Sequence, residues 1–331
     1  MIINAFAVNK PKGKFEPFQY PAEAKNDDVV IKVSHCALGK PDIFFIDNFW
    51  GDIKYPLVPG YELIGIIETL GKNAKNFKVG DRVGVGYQVN SCGQCEYCQS
   101  CQENLCQKGK FIEINHHGGL TDKIIISSRF VFKIPSELNS AKTAPLMCSG
   151  LTPYAAIMNS GVKAGMNTGV IGIGALGHLA VKILDKMDCK VTAFSSKKNL
   201  PAKLGFDSLV DSANIGALKP LERQFDFILS TVYGEINWDQ YIKLLKPQGT
   251  LAIVGLPPTD IHFPAASLND YSQRIIRGGF CGSCQQIKDL LNFAAENKIE
   301  AEVQEFPISQ ANEVLDKIRN KEILFKAVIK L

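Results

Sequence analysis

The sequence predicts an α/β protein with two domains, one built mainly from short β-strands and one built around a doubly wound parallel sheet. Two observations support this prediction. Residues 1–148 contain short apolar and β-branched runs separated by Gly, Pro, Asn and Asp, a pattern typical of strands and turns. From about residue 168, apolar strands alternate with helices, and this order favours a parallel sheet covered by helices on both faces.

Composition limits the classes of function. A chain of 331 residues is long enough for two domains, and its 46% hydrophobic and 21% charged residues are ordinary for a globular enzyme. The net charge of +4 is mild and scattered, so we expect no nucleic-acid partner. The N-terminus lacks the layout of a signal peptide, and no run approaches the ~18 apolar residues of a membrane span. We therefore expect a cytoplasmic protein with no membrane partner.

In the first part of the chain, strands are predicted at 27–39, 62–71, 80–88 and 121–128, with a tight turn at Lys78–Val83. In the second part, strands are predicted at 168–174, 189–195, 226–232 and 249–256, and helices at 175–188 and 199–205. The tail returns to helix at 285–298 and 309–320 and ends in a strand at 324–330.

Four cysteines lie close together in a lobe at about residues 90–110. Their spacing, C-x2-C-x2-C-x7-C, can close a tetrahedral shell of four thiolates around one Zn²⁺. A shell with four protein ligands leaves no position for substrate, so this zinc would be structural. Two disulfides or reduced surface thiols are the alternatives. The predicted ligands are Cys92, Cys95, Cys98 and Cys106.

A glycine-rich loop follows the apolar strand that begins the second domain. It reads G-x-G-x-x-G and precedes an amphipathic helix, the context that a dinucleotide site requires. The glycines permit a tight turn, close approach of the backbone to a pyrophosphate, and close packing of helix on strand. The alternative is a glycine-rich turn in another kind of α/β domain. The predicted cofactor residues are Gly172, Gly174, Ala175, Leu176 and Gly177.

The next strand ends in residues that favour NADP(H) over NAD(H). An NAD site places Asp or Glu there to accept the ribose 2′-hydroxyl. This chain has no acidic residue from 189 through 206, and its hydroxyl and ammonium groups suit a 2′-phosphate. A solvated basic turn is the alternative. The residues concerned are Ser195, Ser196, Lys197 and Lys198.

Taken together, these motifs resemble the zinc-containing medium-chain alcohol dehydrogenases, in the cinnamyl-alcohol-dehydrogenase-like subgroup. The resemblance runs nearly end to end and includes YPLVPGYE at 55–62, KVGDRVGVG at 78–86, RFVFKIP at 129–135 and APLMCSGLTPY at 144–154. It implies a GroES-like catalytic domain (1–148 and 280–331), a Rossmann NADP(H)-binding domain (149–279), an active site in the cleft, and a homodimer or tetramer. Lys40 is placed against the cofactor pyrophosphate, and Thr152, Thr231, Gly255 and Lys326 are assigned to the cofactor site as well.

The resemblance breaks where the family holds a second, catalytic zinc. The first ligand position is Gly39 and the second is Tyr61, neither of which suits zinc. Cys148 and the neighbouring Glu62 remain and, with Tyr61, are the predicted catalytic residues, with Tyr61 either a general acid or a filler of vacated volume. Relocated ligands, with His35 and Cys36 just upstream, are the alternative. A catalytic zinc is therefore doubtful.

The leading hypothesis is an NADP(H)-dependent oxidoreductase that transfers hydride to or from an aldehyde or another activated C=O, C=C or C=N group, without a catalytic zinc. A conventional zinc alcohol dehydrogenase with relocated ligands and a non-catalytic NADPH-binding protein are the alternatives. Family position also places Phe44, Phe45, Phe49 and Trp50 at an aromatic-tolerant pocket, with core packing as the other reading.

Overall fold

The computed structural model describes residues 1–197, 199–257 and 259–331, and of Ile215 it describes the backbone alone. The chain divides into two compact units, residues 1–148 with 283–331, and residues 149–282. The later division lies three residues beyond the 279/280 boundary expected from the sequence. Within the described ranges, no helix is both long and apolar enough to cross a bilayer.

Residues 1–148 are mostly strands. Their strands are β1 (Ile2–Ala7), β2 (Glu16–Pro21), β3 (Asp28–Leu38), β4 (Glu62–Leu70), β5 (Arg82–Val85), β6 (Gln88–Asn90), β7 (Lys110–Phe111), β8 (Lys123–Ser127) and β9 (Phe132–Lys133). Their helices are α1 (Lys40–Ile46), α2 (Glu96–Gln99) and α3 (Ser140–Thr143). Single 3-10 turns lie at Glu103–Leu105, Ser128–Phe130 and Ala144–Met147.

Residues 149–282 alternate between strands and helices. Their strands are β10 (Asn167–Ile171), β11 (Lys190–Ser195), β12 (Ser208–Asp211), β13 (Phe225–Ser230), β14 (Leu245–Ile253) and β15 (Ile275–Gly278). Their helices are α4 (Leu151–Asn159), α5 (Ala175–Lys186), α6 (Trp238–Leu244) and α7 (Ala266–Asn269). Single 3-10 turns lie at Ala202–Leu204, Ile215–Ala217 and Lys219–Leu221.

The tail, residues 283–331, returns to the first unit. It contains α8 (Cys284–Asn297), β16 (Val303–Pro307), a 3-10 turn (Ile308–Gln310), α9 (Ala311–Arg319) and β17 (Lys326–Lys330). A capping box at Ser283, whose hydroxyl accepts from the backbone N–H of Gln286, fixes the start of α8.

The main sheet of the first unit has seven strands, in the order β16-β17-β3-β4-β5-β9, with β8 also paired to β3. The tail strand β17 runs antiparallel to β3 and places Ala327 opposite Leu38. Lys326 and Gly39 are therefore the next residues on each side of this pair. The predicted turn at Lys78–Val83 is present, with Gly80 at φ +91° and the Asp81 N–H donating to the Lys78 carbonyl.

The sheet of the second unit is parallel throughout its six strands, in the order β12-β11-β10-β13-β14-β15. The predicted fold class is confirmed. The helix predicted at 199–205 is wrong, since the chain forms only a 3-10 turn at Ala202–Leu204. Pro201 precedes that turn and Gly205, in the left-handed conformation, ends it, so no room is left for a second turn.

Candidate functional site

The four cysteines of the lobe converge on one point. Their Sγ atoms all lie within 4.8 Å of one another. The Sγ atoms of Cys92 and Cys98 are 3.9 Å apart, too far for a disulfide and close to the ~3.8 Å that tetrahedral zinc–sulfur geometry gives. All ten cysteines lie in the described part of the chain, and none of them is disulfide-bonded. The donor set therefore fits one zinc ion held by Cys92, Cys95, Cys98 and Cys106.

Backbone hydrogen bonds in the lobe favour the thiolate form of Cys92. The backbone N–H groups of Gln94 and Cys95 donate to the sulfur of Cys92 and lower its pKa to about 6. The backbone N–H of Cys92 in turn donates to Cys106 Sγ at 3.5 Å. Hydrogen bonds that stabilise thiolates also suit metal ligation, which requires the deprotonated sulfur.

An ion pair connects this lobe to the tail helix α8. Arg129 Nη2 lies 2.9 Å from Glu103 Oε1 and also donates to the Cys98 carbonyl at 3.2 Å. The other carboxylate oxygen of Glu103 accepts from the backbone N–H of Cys284, the first residue of α8, at 3.3 Å. One buried carboxylate thus joins the cysteine lobe, the 3-10 turn at Ser128–Phe130 and the start of α8.

The positions expected for a catalytic metal all lie in the first unit. Gly39 joins β3 to α1, Tyr61 precedes β4 with its side chain buried, and Glu62 begins β4 at 0% exposure. Cys148 follows the 3-10 turn at Ala144–Met147 and is partly buried. Over residues 1–197, 199–257 and 259–331, the four-cysteine lobe is the one place where three or more His, Cys, Asp or Glu ligand atoms meet.

The side chains of His35 and Cys36, the alternative zinc ligands upstream of Gly39, point away from each other. Cys36 and His35 are neighbours on β3, so their side chains point to opposite faces of the sheet. Cys36 is fully buried, and a Cβ built on Gly60 would lie 2.2 Å from its sulfur. His35 Nδ1 instead pairs with the Ser34 hydroxyl at 2.9 Å. Burial raises the pKa of the Cys36 thiol well above its usual range, which favours the neutral form.

Lys326 is at the centre of these positions. Its ammonium lies 2.7 Å from Glu62 Oε2, and the two side chains are 1% and 0% exposed. The same ammonium is 5.6 Å from the centroid of the Tyr61 ring. A Cβ built on Gly39 would be only 2.7 Å from Nζ. The sequence placed Lys326 among the cofactor residues, and the structure shows its ammonium buried against Glu62.

The charge of Lys326 persists in this buried place. Burial lowers the pKa of the lysine, but the attraction of Glu62 and of Asp42 outweighs it and raises the pKa above its ordinary value. The side chain is therefore an ammonium at neutral pH, and its charge is matched by the Glu62 carboxylate.

Two further carboxyl groups, which no sequence motif marks as site residues, lie in the same buried region. Asp42 Oδ2 accepts from the Gly39 N–H at 2.6 Å, and Glu113 Oε1 accepts from the Gly60 N–H at 2.7 Å. Burial raises the pKa of both acids, and that of Glu113 rises well above its usual range, with repulsion from Asp42 adding to the effect. A proton carried by Glu113 would satisfy the remaining oxygens of the pair, Asp42 Oδ1 and Glu113 Oε2, which no other described group reaches.

The glycine-rich loop has the geometry of a dinucleotide site. Gly172, at φ +86°, directly follows β10, and the helix α5 begins at Ala175. A Cβ on Gly177 would lie 1.9 Å from the Gly172 carbonyl oxygen, so this position requires glycine. A Cβ on Gly174 would meet no atom within 4 Å, which leaves open space for a ligand to approach the backbone.

The end of β11 has the polar residues expected for a ribose phosphate site. Ser195 is buried and its hydroxyl accepts from the Lys197 N–H at 3.1 Å, while Ser196 is exposed. Partial burial lowers the pKa of Lys197. One acidic residue does come near, because β12 pairs Asp211 with Ser195, and its carboxylate accepts from the Ala213 N–H at 2.9 Å. Lys198 lies outside the described residues.

The remaining predicted cofactor residues are divided between the two units. Lys40, in the first unit, begins α1 and lies 5.4 Å from the centroid of the Phe44 ring. In the second unit, Thr152 is buried in α4, and Thr231 donates to the Gly172 carbonyl at 2.7 Å. A Cβ on Gly255 would lie 2.0 Å from the Val232 carbonyl oxygen, so this position also requires glycine.

The predicted aromatic residues form one cluster around α1. The ring centroid of Phe44 lies 5.0 Å from that of Phe49 and 5.6 Å from that of Trp50. Phe45 is buried against Trp50, whereas Phe49 and Trp50 are 56% and 44% exposed. The cluster therefore packs on one side and presents an aromatic surface on the other.

Sequence and structure comparisons identify the family. The alcohol dehydrogenase GroES-like domain matches residues 25–136, and the zinc-binding dehydrogenase domain matches residues 175–296. A putative cinnamyl alcohol dehydrogenase 4 from Oryza sativa subsp. japonica is 34% identical over 98% of this chain and 95% of its own. Aldehyde reductase AdhA from Synechocystis is 34% identical over 99% and 98% of the two chains.

Several similar solved structures cover the whole chain. A cinnamyl alcohol dehydrogenase from Sorghum bicolor superposes with a TM-score of 0.94 at 30% identity, over 100% of this chain and 98% of that one. The Helicobacter pylori enzyme complexed with NADP(H) has a TM-score of 0.91 at 28% identity, with the same coverage. This chain is thus a member of the zinc-containing medium-chain alcohol dehydrogenases, in their cinnamyl-alcohol-dehydrogenase-like group, and an oxidoreductase of that family.

Proposed function

We propose that this chain transfers hydride between NADP(H) and an aldehyde or another activated C=O, C=C or C=N substrate, and that it does so without a metal ion at the reaction site. The proposal rests on one observation about the two candidate ligands that remain at the expected catalytic-zinc position. Of the two, Glu62 and Cys148, the carboxylate of Glu62 is already 2.7 Å from the Lys326 ammonium. One thiolate alone cannot form the three-ligand cage of a catalytic zinc.

The chain's own residues would hold the cofactor. The backbone N–H groups at the start of α5 and the open space at Gly174 suit a pyrophosphate. The hydroxyl of Ser196 and the ammonium of Lys197 suit the additional 2′-phosphate of NADP(H). The complex of the Helicobacter pylori relative with NADP(H) supports the same choice of cofactor.

NADPH, when bound, supplies the hydride that adds to the electrophilic carbon. We assign the accompanying proton to the Tyr61 phenol, which would donate it to the substrate atom that gains electron density and recover it from water. The nearby Lys326 ammonium favours this step, since a positive charge stabilises the phenolate that forms. In sum, one hydride and one proton add across the double bond.

The substrate class follows from the absence of a Lewis acid in this scheme. Without the several kcal/mol that zinc gives a developing alkoxide, electrophilic aldehydes, enones and iminium groups react more readily than simple ketones. The names of the relatives, cinnamyl alcohol dehydrogenase and aldehyde reductase, support an aldehyde, and the exposed rings of Phe49 and Trp50 support an aromatic one.

Metal analysis combined with turnover tests the proposal. We expect purified protein to contain about one zinc per chain and to oxidise NADPH with an aromatic aldehyde or an enone. About two zinc atoms per chain would contradict the metal-free site. NADPH binding without turnover on a panel of aldehydes, enones and imines would favour a non-catalytic NADPH-binding protein.

The cofactor preference has its own test. Lys197→Glu should raise KM for NADPH by at least about tenfold and leave KM for NADH nearly unchanged, because a carboxylate repels the 2′-phosphate. Lys190→Glu makes the same charge change at the exposed start of β11 and is the matched control. Equal effects of the two substitutions on NADPH would contradict the assignment of Lys197.

We also expect a homodimer or a tetramer. β15 lies at one edge of the parallel sheet, and Ile275 on that strand is 49% exposed, a surface that suits pairing with a second copy. Light scattering that gives the mass of a single chain would contradict this expectation.

A further inference from the structure

Lys326 occupies space that this chain makes available by having glycine at position 39. The pairing of Ala327 with Leu38 across β17 and β3 sets Lys326 beside Gly39. A Cβ on Gly39 would lie 2.7 Å from Nζ, 3.3 Å from Cδ and 3.5 Å from Cε of the lysine. Any side chain at position 39 therefore competes with the end of Lys326 for one volume.

This lysine cannot move aside at low cost. It is 1% exposed, and its ammonium is held 2.7 Å from Glu62 Oε2. Moving the ammonium would leave the Glu62 carboxylate, at 0% exposure, buried without its countercharge. The lysine and the missing side chain at Gly39 are thus two parts of one arrangement.

The groups that face this ammonium surround it with negative charge and aromatic surface. From β4 come Glu62 and, just before the strand, the Tyr61 ring; from α1 comes Asp42; and from the end of the 3-10 turn comes Cys148, which also raises the pKa of the lysine. The ammonium also attracts the carboxyl groups of Asp42 and Glu113. A site of this composition holds one cation, and the chain supplies that cation itself.

We propose that the Lys326 ammonium is the resident cation of the reaction site: it takes the place of a metal ion, keeps zinc out, and supplies the fixed positive charge that stabilises negative charge developing on the substrate. The proposal rests on the metal-free reaction proposed above. Its physical basis is that two cations cannot share one small buried site, and that a fixed charge in a region with little water acts strongly on a developing anion.

Restoring metal ligands tests the exclusion of zinc. Gly39→Cys with Tyr61→His returns a thiolate and an imidazole beside Cys148, while Lys326 is kept and competes with the new side chain at position 39 for the same volume. We expect this variant to keep about one zinc per chain, the ion of the cysteine lobe. Adding Lys326→Ala removes the ammonium, and zinc then becomes the partner of Glu62, so the triple variant should contain about two zinc atoms per chain.

The outcomes separate clearly. About two zinc atoms in the variant that keeps Lys326 would overturn the proposal, because the lysine would not exclude the metal. About one in a folded triple variant would overturn it as well. The lobe zinc and NADPH binding report whether each variant is folded. About two zinc atoms in the wild-type protein would instead contradict the proposed function, so the two failures are distinguishable.

A kinetic measurement keeps the proposal testable if the triple variant does not fold. Lys326→Met should lower kcat by at least about 100-fold and leave the Kd for NADPH unchanged, since the lost charge acts on the substrate. A weaker Kd for NADPH with kcat retained would overturn the proposal and return Lys326 to the cofactor site. Unchanged kcat and Kd would overturn it too.

Discussion

The ion pair between Lys326 and Glu62 gives a quantitative prediction about stability. Lys326→Met removes the cation and leaves a buried carboxylate, and Glu62→Gln removes the anion and leaves a buried ammonium. The double variant leaves neither charge. We expect each single variant to be strongly destabilised and the double variant to be destabilised by much less than the sum of the two.

The magnitude follows from the geometry. At 2.7 Å and an effective dielectric constant of about 20, the gross attraction between the two charges is about 6 kcal/mol. Desolvation of two groups that are 1% and 0% exposed offsets much of this attraction, so the net value of the pair is small. Removing one partner should therefore cost about 3–5 kcal/mol. Because the net value of the pair is small, the double variant should cost little, and the coupling energy of the cycle should approach the gross attraction of about 6 kcal/mol.

Urea denaturation at pH 7 can measure the cycle. The chain has two tryptophans, Trp50 in the first unit and Trp238 in the second, so a Trp238→Phe background makes fluorescence report on the unit that contains the pair. Single-variant costs that add within about 0.5 kcal/mol in the double variant would refute the reasoning. Such additivity would mean that the two buried charges do not depend on each other.

Three further predictions concern the metal, the cofactor loop and pH. Cys106→Ser should abolish zinc binding and lower the stability of the first unit, whereas Cys101→Ser, outside the cluster, should retain the metal as measured by elemental analysis. Gly177→Ala should lower stability, because its Cβ would meet the Gly172 oxygen at 1.9 Å. Gly174→Ala should keep stability and weaken NADPH binding, since its Cβ fills open space. Because the pKa of Glu113 is raised in the folded state, the protonated acid stabilises the fold. This stabilisation is fully present below the unfolded-state pKa and is lost as pH rises through the folded-state pKa. Glu113→Gln, which resembles the protonated acid, should therefore flatten the decline of stability above about pH 4.5 in urea titrations.

Each of these predictions has a contrary outcome. Zinc retained by Cys106→Ser would show that three thiolates suffice. Equal stability losses for the two glycine variants would contradict the prediction that Gly177 is required for packing whereas Gly174 borders the space for the cofactor. For the pH prediction, the control is Glu23→Gln at an exposed position, and an unchanged slope in Glu113→Gln would contradict the shared proton.

The sequence predicted what depends on local spacing. The cysteine lobe and the loop from Gly172 to Gly177 are each encoded within about fifteen residues, and their chemistry depends on that spacing alone. The predicted helix at 199–205 failed, because Pro201 and Gly205 leave only one 3-10 turn between them. Helical composition does not compensate for two such residues so close together.

The contacts of Lys326 could not be predicted from the spacing of residues in the sequence. The contact of Lys326 with Gly39 depends on the register of β17 against β3, two strands from opposite ends of the sequence. The one sequence signal was a lysine at the start of an apolar strand, where a charge is costly unless it is paired. Glu113, between two isoleucines, carried an even weaker signal, since its partner Asp42 is brought close only by the fold.

The Glu103 carboxylate couples the cysteine lobe to the tail helix α8. It binds Arg129, which in turn holds the Cys98 carbonyl, and it also accepts from the first backbone N–H of α8. We therefore expect the cysteine lobe and the tail helix to unfold locally as one cooperative unit, although they are far apart in the sequence. Opening of the lobe would then expose the amides at the start of α8 to solvent exchange, so we expect removal of a bound zinc ion to speed the exchange of these amides.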